Sequence, residues 1–121
     1  MSRATFLSGD IVLIHDAPFT NRLAVKARPV IVVSGSQFNR SSPDVIVAPI
    51  SSNIRYNDSI QVVIENADPY FPRTGLKQSS AVKCGAIFAY SQVHIARKLG
   101  VAHPNILKKV REIIIDILTR N

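Results

Sequence analysis

Five short runs dense in β-branched residues, each closed by turn formers, confine most of this chain to a fold made of short strands. The clearest is Val30 to Val33, four consecutive β-branched residues, a side-chain shape that suits a pleated surface. Arg28 and Pro29 precede it, and a strand start tolerates proline's missing N–H. Asp10 to Ile14 sets Val12 and Ile14 on one face and Ile11 and Leu13 on the other, so this strand is apolar on both sides and reads as buried on both. Val45 to Ile50, Ile60 to Ile64 and Ala81 to Phe88 complete the set, bounded by Ser, Asn, Asp, Pro or Gly. Short strands at close spacing predict a small antiparallel barrel.

The last third changes period. Ser91 is placed to cap a short helix through Val93, Ile95 and Leu99, with Gly100 as its stop. Pro104 then suits the first turn of a longer helix. There Ile106, Leu107, Val110, Ile113, Ile114, Ile117 and Leu118 recur at helical spacing, while Lys108, Lys109, Arg111, Glu112, Asp116 and Arg120 take the other faces. This helix is expected to pack on the barrel. The fold class expected is therefore mainly β with a C-terminal α element, in one domain over 1–121, a length that suits a single core. With 46% hydrophobic and 19% charged residues, the composition is globular and fits neither disorder nor coiled coil well.

Fifteen Lys and Arg against eight Asp and Glu give a formal charge of +7, a surface that attracts a polyanion such as nucleic acid or an acidic partner protein. A single cysteine, Cys84, rules out an internal disulfide and any metal site built on paired cysteines. The start MSRATFLSGD lacks the apolar run of a signal peptide, and no stretch approaches the ~20 apolar residues that span a bilayer. A soluble cytoplasmic protein with no membrane partner is expected. The sequence has no Walker loop, GxGxxG, HExxH or GxSxG, which removes support for nucleotide-driven and common hydrolase mechanisms. His15, His94 and His103 sit in separate elements, against a histidine-pair nuclease.

Three segments carry the most information: GDIVLIHDAPFT at 9 to 20, KARPVIVVS at 26 to 34 and DVIVAPISSNI at 44 to 54. A Gly-Asp strand start, a Pro-Phe-Thr loop, an Arg-Pro strand and an Ala-Pro-Ile-Ser-Ser strand end follow one another in that order. In these features, and on through SSAVKCGAIFAYSQVHIARKLG at 79 to 100 and the terminal helix, the chain resembles the MazF/PemK family of type II toxin-antitoxin endoribonuclease toxins, in its PemK-like branch. The resemblance implies a barrel like that of a Src-homology-3 domain with appended helices, the CcdB/PemK-like toxin fold. It also implies a homodimer, cleavage of single-stranded RNA to a cyclic phosphate and a free 5′ hydroxyl, and an acidic antitoxin as partner. No metal and no cofactor are implied.

Matched motif by motif, the family's catalytic pair falls on Arg28, the Arg before the strand proline, and Ser51, directly after Ala-Pro-Ile. The residue types fit the chemistry. Attack by a ribose 2′ hydroxyl on the adjacent phosphate builds negative charge around phosphorus, and a fixed guanidinium meets that charge with a fork of donors. An Arg, protonated at any working pH, suits charge stabilisation better than proton abstraction. Ser51 is able to donate to the phosphate or leaving oxygen, and Ser52, one residue on, is able to share or take that role.

Candidate RNA contacts are Phe19, Thr20, Asn21, Arg22 and Lys26 in the loop HDAPFTNRLAVK, and Ser52, Asn53, Arg55 and Tyr56 in the loop after the third strand. Exposed bases stack on aromatics while cations hold phosphates. Two other functions stay open. A gyrase poison of the CcdB type shares the fold, but those toxins use a C-terminal Trp and this chain has none. A basic barrel that binds RNA without cutting it is the other, since Gly85 and Ala89 stand where many relatives carry Asp and Thr.

Overall fold

In the computed structural model, which describes residues 5–15 and 27–121, two apolar clusters sit on opposite sides of one strand. That strand is β1 (Asp10–Ile14). Its Ile11 joins Ile31, Ala48, Val82 and Val110 in one core, while Val12 and Ile14 join Val30, Val32, Val45 and Val47 in the other. A strand apolar on both faces is what such a two-sided position requires.

The remaining strands are β2 (Arg28–Val32), β3 (Asp44–Ser51), β4 (Gln61–Ile64), β5 (Ser80–Lys83), β6 (Phe88–Ser91) and β7 (Arg97–Val101). They form one antiparallel sheet in the order β4-β5-β3-β2-β1-β7, with β6 also paired to β3. The long strand β3 is the hinge of the sheet: its C-terminal end takes β5 and its N-terminal end takes β6. Helix α1 (Ser36–Ser41) bridges β2 and β3, and helix α2 (Pro104–Thr119) closes the chain against β4 and the first core through Val110 and Ile114. Mainly antiparallel β-sheet with a C-terminal helix is the fold class expected from the periodicities.

Three local expectations are corrected. The helix expected from Ser91 to Leu99 is a 3-10 turn at Gln92–His94 followed by β7. Gly100 does not stop a helix. It is a strand residue opposite Ile11, and a Cβ there would lie 2.5 Å from the Thr74 carbonyl carbon, so backbone approaches backbone at this point. The strand expected over Ala81 to Phe88 is two strands separated by a 3-10 turn at Cys84–Ala86, because pairing with β3 slips by three residues between Ile50↔Val82 and Val47↔Phe88. Finally, Ile117 and Leu118 do not pack on the core but are 41% and 69% exposed.

The motif glycine and aspartate at the head of β1 have a structural use. Gly9 adopts φ +89, the left-handed region that glycine enters at little cost. Asp10 is buried, and its carboxylate accepts the Leu7 amide at 2.8 Å and pairs with Lys98 at 3.2 Å. Its charge is thereby compensated inside the fold.

Candidate active site

Adjacent antiparallel strands bring residues far apart in sequence to the same height. β2 and β3 pair Val30 with Pro49, and continuing that register two residues sets Arg28, the first residue of β2, across from Ser51, the last of β3. Both line one cleft of about 510 Å³. Its other walls are Leu13 of β1, Arg97 and Leu99 of β7, and the segment Gly75 to Gln78. Arg28 and Ser51 are each half-buried.

The lining includes three cations, Arg28, Lys77 and Arg97, and no carboxylate among the described residues. Strand alternation explains the sorting: Arg97 faces the cleft beside Leu13, whereas its neighbour Lys98 turns to the other face and pairs with Asp10. A concave wall whose described residues carry three positive groups and no carboxylate focuses a field that draws in an anion.

Ser51 closes a tight turn in which its Oγ accepts the Asn53 amide at 3.1 Å, a local side-chain-to-backbone bond that ends strands. Ser52 lines the same cleft, one residue further out and exposed. Asn53, Arg55 and Tyr56 follow on an exposed loop and do not line the cleft; Tyr56 is 69% exposed. Phe19, Thr20, Asn21, Arg22 and Lys26 lie outside the described residues.

Arg97 and Gln78 are cleft residues that sequence reasoning missed. Arg97 was hidden by the helix expected over its segment, whereas alternation along a strand would have set it beside Leu13. Gln78 carries no local signal, because a turn at Gly75 delivers it, whereas Lys77 beside it counts in the sequence's basic inventory. None of the three histidines lines the cleft. His103 instead caps α2, its Nδ1 accepting the Asn105 amide at 3.0 Å. Gly85 and Ala89 also lie away from it: a Cβ at Gly85 would meet Ile60 at 3.6 Å and Ile117 at 4.0 Å, and Ala89 is exposed on β6 opposite Ile46. Among the described residues no three His, Cys, Asp or Glu side chains are grouped to hold a metal ion, and no helix is long and apolar enough to cross a membrane.

A small antiparallel sheet thus carries an arginine and a serine into one basic cleft. The family model of PemK-like, MazF-like toxins of type II toxin-antitoxin systems matches residues 7–118, and the chain belongs to that family. Solved structures share the fold. One is an endoribonuclease from a mycobacterial species in complex with its cognate antitoxin, 19% identical with a TM-score of 0.73, the match covering 95% of this chain and 96% of that one. A second is the MazE-MazF complex from Deinococcus radiodurans, 18% identical at 0.75, covering 98% of this chain and 100% of the matched chain. A third is the Mycobacterium tuberculosis toxin MazF-mt6, 21% identical at 0.68, covering 92% and 98%. The curated proteins contain no match at the level of sequence.

Proposed function

We propose that this chain is an endoribonuclease toxin that cuts single-stranded RNA by attack of a ribose 2′ hydroxyl on the adjacent phosphodiester. The supporting observation is the meeting of Arg28 and Ser51, from different strands, in one cleft whose described lining holds no carboxylate. In the reaction the 2′ oxygen bonds to phosphorus, the bond from phosphorus to the 5′ oxygen breaks, and a proton passes from the first oxygen to the second. A 2′,3′-cyclic phosphate and a 5′ hydroxyl result. Arg28 spreads its donors over the equatorial oxygens as charge develops there. The Ser51 hydroxyl donates to the phosphate or the leaving oxygen, and Lys77 and Arg97 hold neighbouring phosphates. The reaction needs no metal.

Family membership and the charge of +7 support the partners. The toxin works in the cytoplasm as a homodimer and is silenced by an acidic antitoxin whose disordered segment occupies the same basic surface as the RNA. The test is cleavage of a defined single-stranded RNA by purified protein in excess EDTA, with the ends characterised chemically. A cyclic phosphate and a 5′ hydroxyl are expected, and Arg28→Ala should slow cleavage by roughly a hundredfold or more with an unchanged circular dichroism spectrum. An Arg28→Ala protein of full activity would remove the site. RNA retained without cleavage would favour a binding-only barrel.

A further inference from the structure

The loop after Ser51 combines exposed side chains with a fastened backbone, and the fastening comes from two residues outside the cleft. Gln61 opens β4 and Lys83 ends β5, and the two are direct partners in the ladder. The Lys83 ammonium donates to Gln61 Oε1 at 2.6 Å and to the carbonyl oxygen of Asn53 at 3.0 Å. Gln61 Nε2 in turn donates to the carbonyl oxygen of Arg55, which also accepts the Asp58 amide at 3.0 Å. Asn53 is tied at its other end to Ser51, whose Oγ accepts its amide.

A continuous chain of hydrogen bonds thus runs from the Ser51 hydroxyl through Asn53, Lys83 and Gln61 to Arg55. Two features suggest that its purpose is geometric. Gln61 is buried at 7% exposure, so its amide group is committed to these partners. Lys83 is half-buried yet makes no ion pair among the described residues, where the salt bridges are Lys98 with Asp10 and Arg120 with Asp116. Its charge is spent on strengthening bonds to neutral oxygens. Holding the backbone at residues 53 and 55 while Asn53, Arg55 and Tyr56 stay exposed lowers the ordering cost that a ligand would otherwise meet.

We propose that Lys83 and Gln61 are positioning residues, a clamp built on one β4–β5 register pair that pre-forms the loop 52–56 and orients the Ser51 hydroxyl for RNA. This rests on the ribonuclease reading above.

The experiment compares wild type, Lys83→Met, Gln61→Leu, the double variant and Lys83→Arg. Two quantities are measured: amide hydrogen exchange over residues 53–57 of the free protein, and affinity for a mixed-sequence 2′-O-methyl oligoribonucleotide as a function of salt. Both single variants should speed exchange at these amides and weaken binding about tenfold, the scale of one lost charge-assisted hydrogen bond. The double variant should be no worse than the weaker single, and Lys83→Arg should recover most of the loss. Gln61→Leu should leave the salt dependence unchanged, since it removes no cation.

Unaltered exchange in both singles overturns the clamp. So does wild-type affinity in Gln61→Leu alongside a shallower salt slope in Lys83→Met, which would make Lys83 a direct phosphate contact. Wild-type protein that neither binds nor cuts RNA, with amides that still open in both variants, would overturn the ribonuclease reading while the clamp stood. Unfolding midpoints of all five proteins separate these results from global destabilisation.

Discussion

A Cβ on Gly75 would overlap the carbonyl oxygen of Leu99 and stand 2.6 Å from its carbonyl carbon. Gly75 has φ +73, and the Arg73-to-Gly75 segment also abuts Gly100, so backbone packs on backbone with no side chain between. This contact joins two walls of the cleft, since Gly75 leads into Lys77 while Leu99 follows Arg97. Gly75→Ala should therefore cost about 2 to 4 kcal/mol, from a strained φ together with a clash against rigid backbone. Cleavage should fall with it as Lys77 and Arg97 separate. At Gly35, where a Cβ meets nothing within 4 Å, alanine should leave denaturant stability within about 0.5 kcal/mol.

In the proposed reaction the shape of the Arg28 guanidinium should matter as well as its charge. Arg28→Ala should lower kcat by roughly a hundred- to a thousandfold, the effect of removing one donor aimed at developing charge. Arg28→Lys should recover part of the RNA affinity and little of the rate, because an ammonium is a point charge without the planar fork. Single-turnover cleavage together with binding separates the two. A lysine variant with wild-type kcat would show that position 28 supplies charge alone.

How much of this could be read from the residues depended on the length scale of the signal. β1 was legible to its last residue, because five residues alternating into two apolar faces leave no other placement. Arg28 and Ser51 were legible as motif positions, but their meeting comes from the β2–β3 register, which local sequence does not carry. Helix α1 was missed because SQFNRS has no apolar stripe. It is held by Asn39, fully buried, whose Oδ1 accepts the Ser34 hydroxyl at 2.5 Å and whose Nδ2 donates to the Phe6 carbonyl at 3.0 Å. Arg97 was lost to a tertiary override: its segment has helical spacing, yet β1 offers a ladder of hydrogen bonds that only a strand can complete. The Lys83–Gln61 clamp was invisible for the same reason, being a relation across a ladder.

Ser51 and Ser52 both line the cleft but differ in surroundings. Ser51 is half-buried and fixed by the Asn53 amide, whereas Ser52 is exposed. A donor held in place contributes more to a transition state than one that must be ordered. Ser51→Ala should reduce kcat at least tenfold with a smaller change in KM, Ser51→Thr should retain most activity, and Ser52→Ala should stay within about threefold of wild type. The opposite order of the two alanine variants would move the hydroxyl's role to Ser52.

Cys84 offers a test of the core that is independent of RNA. It is 1% exposed, and burial, reinforced by the negative charge of Asp58, pushes its thiol from 9.0 up to about 11. Above pH 9 an unfolded chain therefore surrenders this proton while the folded chain keeps it to about 11, so the folded state binds more protons across that interval. Its contribution to stability is full below pH 9 and is lost as pH rises from 9 to 11. The quantity to measure is the difference between wild type and Cys84→Ala in urea unfolding at each pH, which isolates the thiol's contribution. Wild-type stability should fall more steeply than the variant's over this interval. Alkylation of the native thiol at pH 8 should also be about a hundredfold slower than in denaturant, following the loss of thiolate. Parallel stability curves for the two proteins would mean that the thiol ionises as easily in the fold as in the open chain.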